Sequence, residues 1–204
     1  MEGPPVVETT CESDTMPHDY KSLLAAIQRD PRYLRNLSWG QVRSGHPEGT
    51  VQAHIEQLDR NLTALESTLT REEVHKLRLL IHTHDTFKAV ALRGVAIEHP
   101  QSHASLARAF LAEFIDDSNL LAMVQFHDEP FALWKQSKQG KTGEDRLERL
   151  LARIHDWDTF LAFQIIDNVA PGKERTPLFS FFERIAGHVA SRITADDARR
   201  LPLA

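Results

Sequence analysis

Apolar residues recur along this chain at steps of three and four, and runs of alternating β-branched residues are few, so the pattern predicts helices throughout. The stretch DYKSLLAAIQRD reads as a helix that stops before Pro31, because a residue preceding proline is pushed out of the helical region. A loop, SWGQVRSGHPEG, follows it. The next helix is expected over about 50–67, with Val51, Ile55, Leu58, Leu62 and Leu65 on one stripe. Thr70 opens another, since Glu73 stands three residues on in the capping-box arrangement, and this helix carries Val74, Leu77, Leu80, Ile81 and His84. Further helices are predicted at about 102–115, 118–127, 143–155, 157–168 and 176–192, divided by turns containing Asp, Pro and Gly. The most loop-like interior stretch lies around 138–146. With no internal repeat and no second boundary, the expectation is an all-α helical bundle in a single compact domain over 17–194, flanked by a disordered N-terminal tail (1–16) and a C-terminal tail (195–204).

A length of 204 residues suffices for a hydrophobic core without covalent staples. Hydrophobic residues at 41% and charged residues at 26% exclude a fibrous or largely disordered chain. A net charge of -5 gives no overall positive field for a phosphate backbone, so nucleic acid is not indicated as a partner. Cys11, the single cysteine, can form no internal disulfide. The opening stretch MEGPPVVETTCESDTMP lacks the basic start and apolar core of a signal peptide, and no apolar run reaches membrane-spanning length. A cytoplasmic protein with no membrane partner is expected, and homo-oligomer formation stays open. What composition does single out is histidine, present eleven times, the commonest side-chain metal ligand.

Six residues stand near apolar helical stripes or helix ends: His54, His84 with Asp85, His103, His127 and Asp167. From these positions, side chains of five helices can converge on one point in the core. Isolated buried carboxylates are very costly, and a shared cation removes that cost. Adjacent residues on a helix point about 100° apart, so His84 and Asp85 face different directions; at a helix end the histidine can bind one ion while the carboxylate bridges to a second, about 3.5–4 Å away. His99 is the alternative to His103, which is preferred because it precedes the LARAFL stripe. His82 is placed in solvent rather than in the pocket. His18, His75, His155 and His188 read as ordinary core or surface histidines.

The ordered set His54, His84-Asp85, His103, His127, Asp167 resembles the HD-domain superfamily, helical proteins named for their His-Asp doublet and known chiefly as metal-dependent phosphohydrolases. HPEGTVQAHI at 46–55 resembles the segment leading to the first metal histidine in the HD domains of bacterial tRNA nucleotidyltransferases, and HDTFK at 84–88 keeps the family's lysine spacing. The likeness covers about residues 46–168. It departs at Thr86 and Phe87, where smaller residues are frequent, and at Asn168, where a basic residue is common. The resemblance implies that His54, His84, Asp85 and Asp167 hold one metal ion and Asp85, His103 and His127 another.

Two such ions would suit hydrolysis of a phosphate ester by a metal-activated water, in keeping with the lack of a convincing protein nucleophile. Four imidazoles and two carboxylates favour Mn, Fe, Co, Ni or Zn over Mg or Ca. Asp85 and Lys88 are the candidate catalytic residues. Lys88, Arg43 and His46 are candidates for substrate contact, with Lys173 a weaker one. The resemblance makes a nucleotide the leading substrate, although no glycine-rich phosphate loop is present. Two alternatives share these residues: an HD-type di-iron oxygenase, and a non-catalytic metal- or nucleotide-binding helical module.

Overall fold

Every long apolar stripe read from the sequence lies on a helix in the computed structural model, which describes residues 18–43, 47–170 and 172–201. Among the described residues the elements are α1 (Tyr20–Arg29), α2 (Pro31–Asn36), α3 (Val51–Leu65), α4 (Arg71–Thr83), α5 (His103–Leu111), α6 (Ser118–Phe126), α7 (Glu129–Ser137), α8 (Glu144–Arg153), α9 (Trp157–Asn168), α10 (Thr176–Ile185) and α11 (Ala195–Arg200), with 3₁₀ turns at Glu66–Thr68 and Thr86–Ala89. No strand occurs among them, and no helix is long and apolar enough to cross a membrane. The fold is all-α, a single helical domain.

The centre of the domain is α9. It is apolar on every side, with Phe160, Leu161, Ala162, Phe163, Ile165 and Ile166 all buried, the pattern of a helix enclosed by others. Around it pack α3, α4 and α10, while α4 also meets α1, α5 and α6. Local chemistry starts each helix where it is needed. The Thr50 hydroxyl accepts from the Ala53 amide to open α3, and Thr70 with Glu73 forms the expected capping box of α4. Asp117 and Asp156 cap α6 and α9 through their carboxylates.

The entry to α3 depends on Gly40. This residue pairs with Thr50 at a φ of 120°, and a Cβ there would meet the Gly49 carbonyl oxygen at 2.3 Å, so only glycine allows the approach that brings residues 48–50 against the core.

Several expectations are corrected. The first helix ends at Arg29, before Pro31 as expected, but an unexpected helix follows at once: Pro31 opens α2, capped by the Asp30 carboxylate, which accepts from the Arg32 amide at 2.7 Å. Glu129–Ser137 is also helical, with Pro130 in its first turn. The helix expected to reach 192 ends at Ile185, close to Gly187 at a φ of 79°. Part of the expected C-terminal tail is α11, fastened by a Thr194–Asp197 capping box and by burial of Ala198 and Leu201. The expected N-terminal tail lies outside the described residues.

One buried polar tie sets the end of α9 against α3. The Asn61 side-chain amide donates to the carbonyls of Ile166 at 2.7 Å and Val169 at 2.5 Å, flanking Asp167. Asn61→Leu strands two buried carbonyls and should lower the unfolding free energy by about 1–3 kcal/mol, measured by urea denaturation. An unchanged midpoint would mean that this tie is dispensable.

Candidate metal centre

The two His-Asp pairs that matter most stand at helix ends. His84 follows the last residue of α4, and its Nδ1–H is shared between the Leu80 carbonyl at 3.0 Å, which also accepts from the His84 amide, and the Ile81 carbonyl at 3.2 Å. That bond fixes the tautomer, so the neutral ring presents its Nε2 lone pair to the interior. His127 repeats the device after α6, where Nδ1–H donates to Val124 at 2.8 Å. His54, on α3, sets Nδ1 at 3.1 Å from Glu48 Oε1, a carboxylate that orients the ring.

Asp85 lies between these rings, and its two oxygens face opposite ways. Oδ2 is 3.7 Å from His54 Nε2 and 3.5 Å from His84 Nε2. Oδ1 is 3.8 Å from His103 Nε2 and 3.5 Å from His127 Nε2. Two groups result, His54–His84–Asp85 and Asp85–His103–His127, each with one donor atom per residue and all of these within 4.8 Å of one another. The aspartate belongs to both.

Asp167, at the C-terminal end of α9, touches the first group through His54, with Oδ1 at 3.2 Å from Nε2, and is also held by Lys173 at 3.0 Å. Lys88, on the 3₁₀ turn after the doublet, ion-pairs with Asp85 Oδ2. His103 is the histidine of its segment that enters the cluster; His99 instead accepts from the Gln101 amide in its own turn. Arg43 is exposed on the rim, beside Lys88. His46 lies outside the described residues. His82, expected in solvent, is buried on the far side of α4, where Nδ1 lies 2.6 Å from the Tyr33 hydroxyl.

Asp128 was not picked out from the sequence. It follows His127 in a second His-Asp doublet, and its carboxylate lies 3.2 Å from His103 Nε2 and 3.6 Å from His127 Nε2. The repeat of the doublet at a second helix end was the available signal.

The electrostatics are those of a centre built for positive charge. Burial alone would raise the carboxyl of Asp85, but Lys88 and the imidazoles of His84 and His127 hold it well below the usual range. Asp167 is likewise held low against burial by Lys173 and His54. Complete burial pushes His84 down to about 3, which keeps its ring neutral. Burial works the same way on His127, yet Asp128 and Asp85 overcome it and raise the ring to about 9. Even so, His84 Nε2 and Asp85 Oδ1 are buried and make no hydrogen bond. Buried polar atoms are rarely left this way. The donor set fits a divalent ion, since imidazole nitrogens and a bridging carboxylate suit Mn, Fe, Co, Ni or Zn.

A cavity of about 640 Å³ opens over the His103 side, lined by Lys88, His103, Asp128, Trp39, Arg93 and Phe131 among others. On the His54 side the described residues line a small cavity of about 20 Å³ beside Arg43 and Glu48. One half of the centre is therefore deep and the other faces an accessible chamber.

No family model matches the chain, and no curated protein and no solved structure matches it either. The functional reading therefore rests on the site's own geometry and on the sequence.

A bound ion at about 100 times its dissociation constant adds roughly 2.7 kcal/mol, which for a chain of this length raises the melting temperature by about 5–10 °C. Purified protein should carry a transition metal by elemental analysis, and stripping it with a chelator should produce that drop in calorimetry. Asp85→Ala, which removes the carboxylate shared by both groups, should abolish both the metal content and the chelator effect. A wild-type chain without metal and indifferent to added Mn²⁺, Fe²⁺ or Zn²⁺ would refute the assignment.

Proposed function

We propose that this chain is a metal-dependent phosphohydrolase of the HD-domain type, acting on a phosphate ester of a small molecule, with a nucleotide as the leading substrate. The observation that carries the reading is Asp85, one carboxylate presented to two pairs of imidazoles at the floor of a chamber with a basic wall. Divalent ions bound there would supply Lewis acidity toward phosphoryl oxygens and a water acidified toward neutrality.

The chain's own residues do the rest. Lys88 sits between Asp85 and the chamber, so its ammonium is positioned to meet a phosphoryl oxygen as well as the carboxylate. Arg43, Arg93 and Lys135 line the same chamber and draw an anion toward it. Trp39, with the Arg93 guanidinium 5.8 Å from its ring centre, and Phe131 offer faces on which a planar group can stack. The chamber lies within the roughly 300–1,000 Å³ common for small-molecule sites, enough for a nucleoside phosphate. His84, at 1% side-chain exposure, and the apolar helix α9 close the floor against bulk water.

The test is a screen of phosphomonoesters and phosphodiesters, nucleotides included, with stripped protein and each of Mn²⁺, Fe²⁺, Co²⁺, Ni²⁺, Zn²⁺ and Mg²⁺ added singly. Hydrolysis is expected with one or more of the transition ions. Asp85→Ala should abolish it, and Lys88→Ala should lower kcat by about 100-fold or more if the ammonium stabilises developing charge. Oxygen uptake with Fe²⁺ and an organic phosphonate or polyol, without any phosphoester cleavage, would replace this reading by the oxygenase alternative.

A further inference from the structure

We propose that Asp128 is a ligand of the outer ion, so that this half of the centre is a site of two histidines and two carboxylates, with Asp128 the counterpart of Asp167. The proposal rests on the metal-centre reading and goes beyond its six residues.

The first argument is metric. Donor atoms about 2.0–2.2 Å from a common ion stand roughly 3.3–3.6 Å apart at tetrahedral angles. The Nε2 atoms of His103 and His127 are 3.1 Å apart. Asp85 Oδ1 is 3.8 Å from the first and 3.5 Å from the second. Asp128 approaches the same two atoms with its two oxygens, Oδ2 at 3.2 Å from His103 and Oδ1 at 3.6 Å from His127. Its carboxylate thus stands to this histidine pair as closely as the bridging aspartate does. Two imidazole nitrogens directed at one another, with a carboxylate on either flank, describe the shell of a cation.

The second argument comes from backbone and capping. Asp85 and Asp128 each follow a histidine whose Nδ1–H is spent on its own helix, and each has nearly the same backbone, φ -107° with ψ -6° and φ -85° with ψ -4°. Each also precedes a new helical element at the capping position, where aspartate normally accepts from the following amides. Neither does so. Asp30, Asp117 and Asp156 in this chain do cap their helices, so the two exceptions are the carboxylates that turn to the imidazoles instead.

Position then distinguishes Asp128 from Asp167. Its side chain is 45% exposed and lines the chamber, whereas that of Asp167 is 15% exposed and is tied to Lys173. The outer ion therefore has a ligand on the side from which substrate arrives.

The experiment titrates the stripped full-length chain with Zn²⁺ alone, by calorimetry with elemental analysis. Wild type should take two equivalents. Asp128→Ala and Asp128→Asn should each keep one at wild-type affinity and weaken the other by more than about 100-fold, beyond the roughly 10- to 100-fold cost of losing an outer hydrogen-bond partner. Melting of the stripped Asp128 variants against stripped wild type measures the loss of the Asp128 contacts to His103 and His127 separately from the change in ion affinity. If Asp128→Asn retains both equivalents at wild-type affinity, the residue is no ligand and the proposal fails. If wild type takes a single equivalent, the outer half is not an ion site and the proposal again fails while the inner site stands. If wild type takes none, the metal-centre reading itself falls.

Discussion

A carboxylate buried in a helical core must be compensated, and the placement of Asp85 is the constraint around which this domain is arranged. Its residue is 6% exposed, and an ionised carboxylate away from water costs several kcal/mol unless charge and hydrogen bonds replace the solvent. Lys88 supplies one countercharge from the next turn. It does not answer the second oxygen, which is buried without a hydrogen bond between the imidazoles of His103 on α5 and His127 at the end of α6. A core of this kind is not at rest with protein groups alone. A divalent ion between each pair of rings would satisfy both oxygens and the idle His84 Nε2 together.

The rings are oriented by the helices rather than by a separate apparatus. His84 and His127 each donate Nδ1–H to carbonyls in the last turn of the helix they follow. The same bond that finishes the helix chooses the tautomer and aims Nε2, so local stability and ligand geometry share one interaction. Glu48 plays the corresponding part for His54, and its own position depends on the close approach of Gly40 to residues 49 and 50.

Much of this was legible in the sequence, and the parts that were not share identifiable causes. The stripes of α3, α4, α6 and α9 are long enough for a 3.6-residue period to be unambiguous, and the Thr70–Glu73 capping box was visible as letters. The helices α2 and α7 were missed because proline in a first turn starts a helix as readily as it ends one, and for α2 the deciding cap, Asp30, is a side-chain contact. Periodicity also says which residues share a face without saying what that face meets. His82 and His84 are two residues apart on α4, and only the packing of Tyr33 against one and of α9 against the other separates a core histidine from one in the cluster. Asp128 escaped for a related reason. An aspartate just before a helical stretch is ordinarily a cap, and its failure to cap is a fact of three dimensions.

The asymmetry of the centre bears on how it would work. On the His54 side, Asp167 and Glu48 are both largely buried, Lys173 balances one of them, and the described residues line a cavity of only about 20 Å³. On the His103 side, the rings meet a chamber with basic and aromatic walls. On the proposed function a phosphorylated molecule would approach from the second side, with the inner half as anchor and the outer half as receiver. Such a division explains why Lys88 stands at the boundary. Its ammonium belongs to the ion pair of the deep half and to the wall of the open one, and an anion entering the chamber competes with Asp85 for it. On that reading the arriving charge and the bridging carboxylate would be linked through one side chain, Lys88, which lies on the ion pair and on the chamber wall alike.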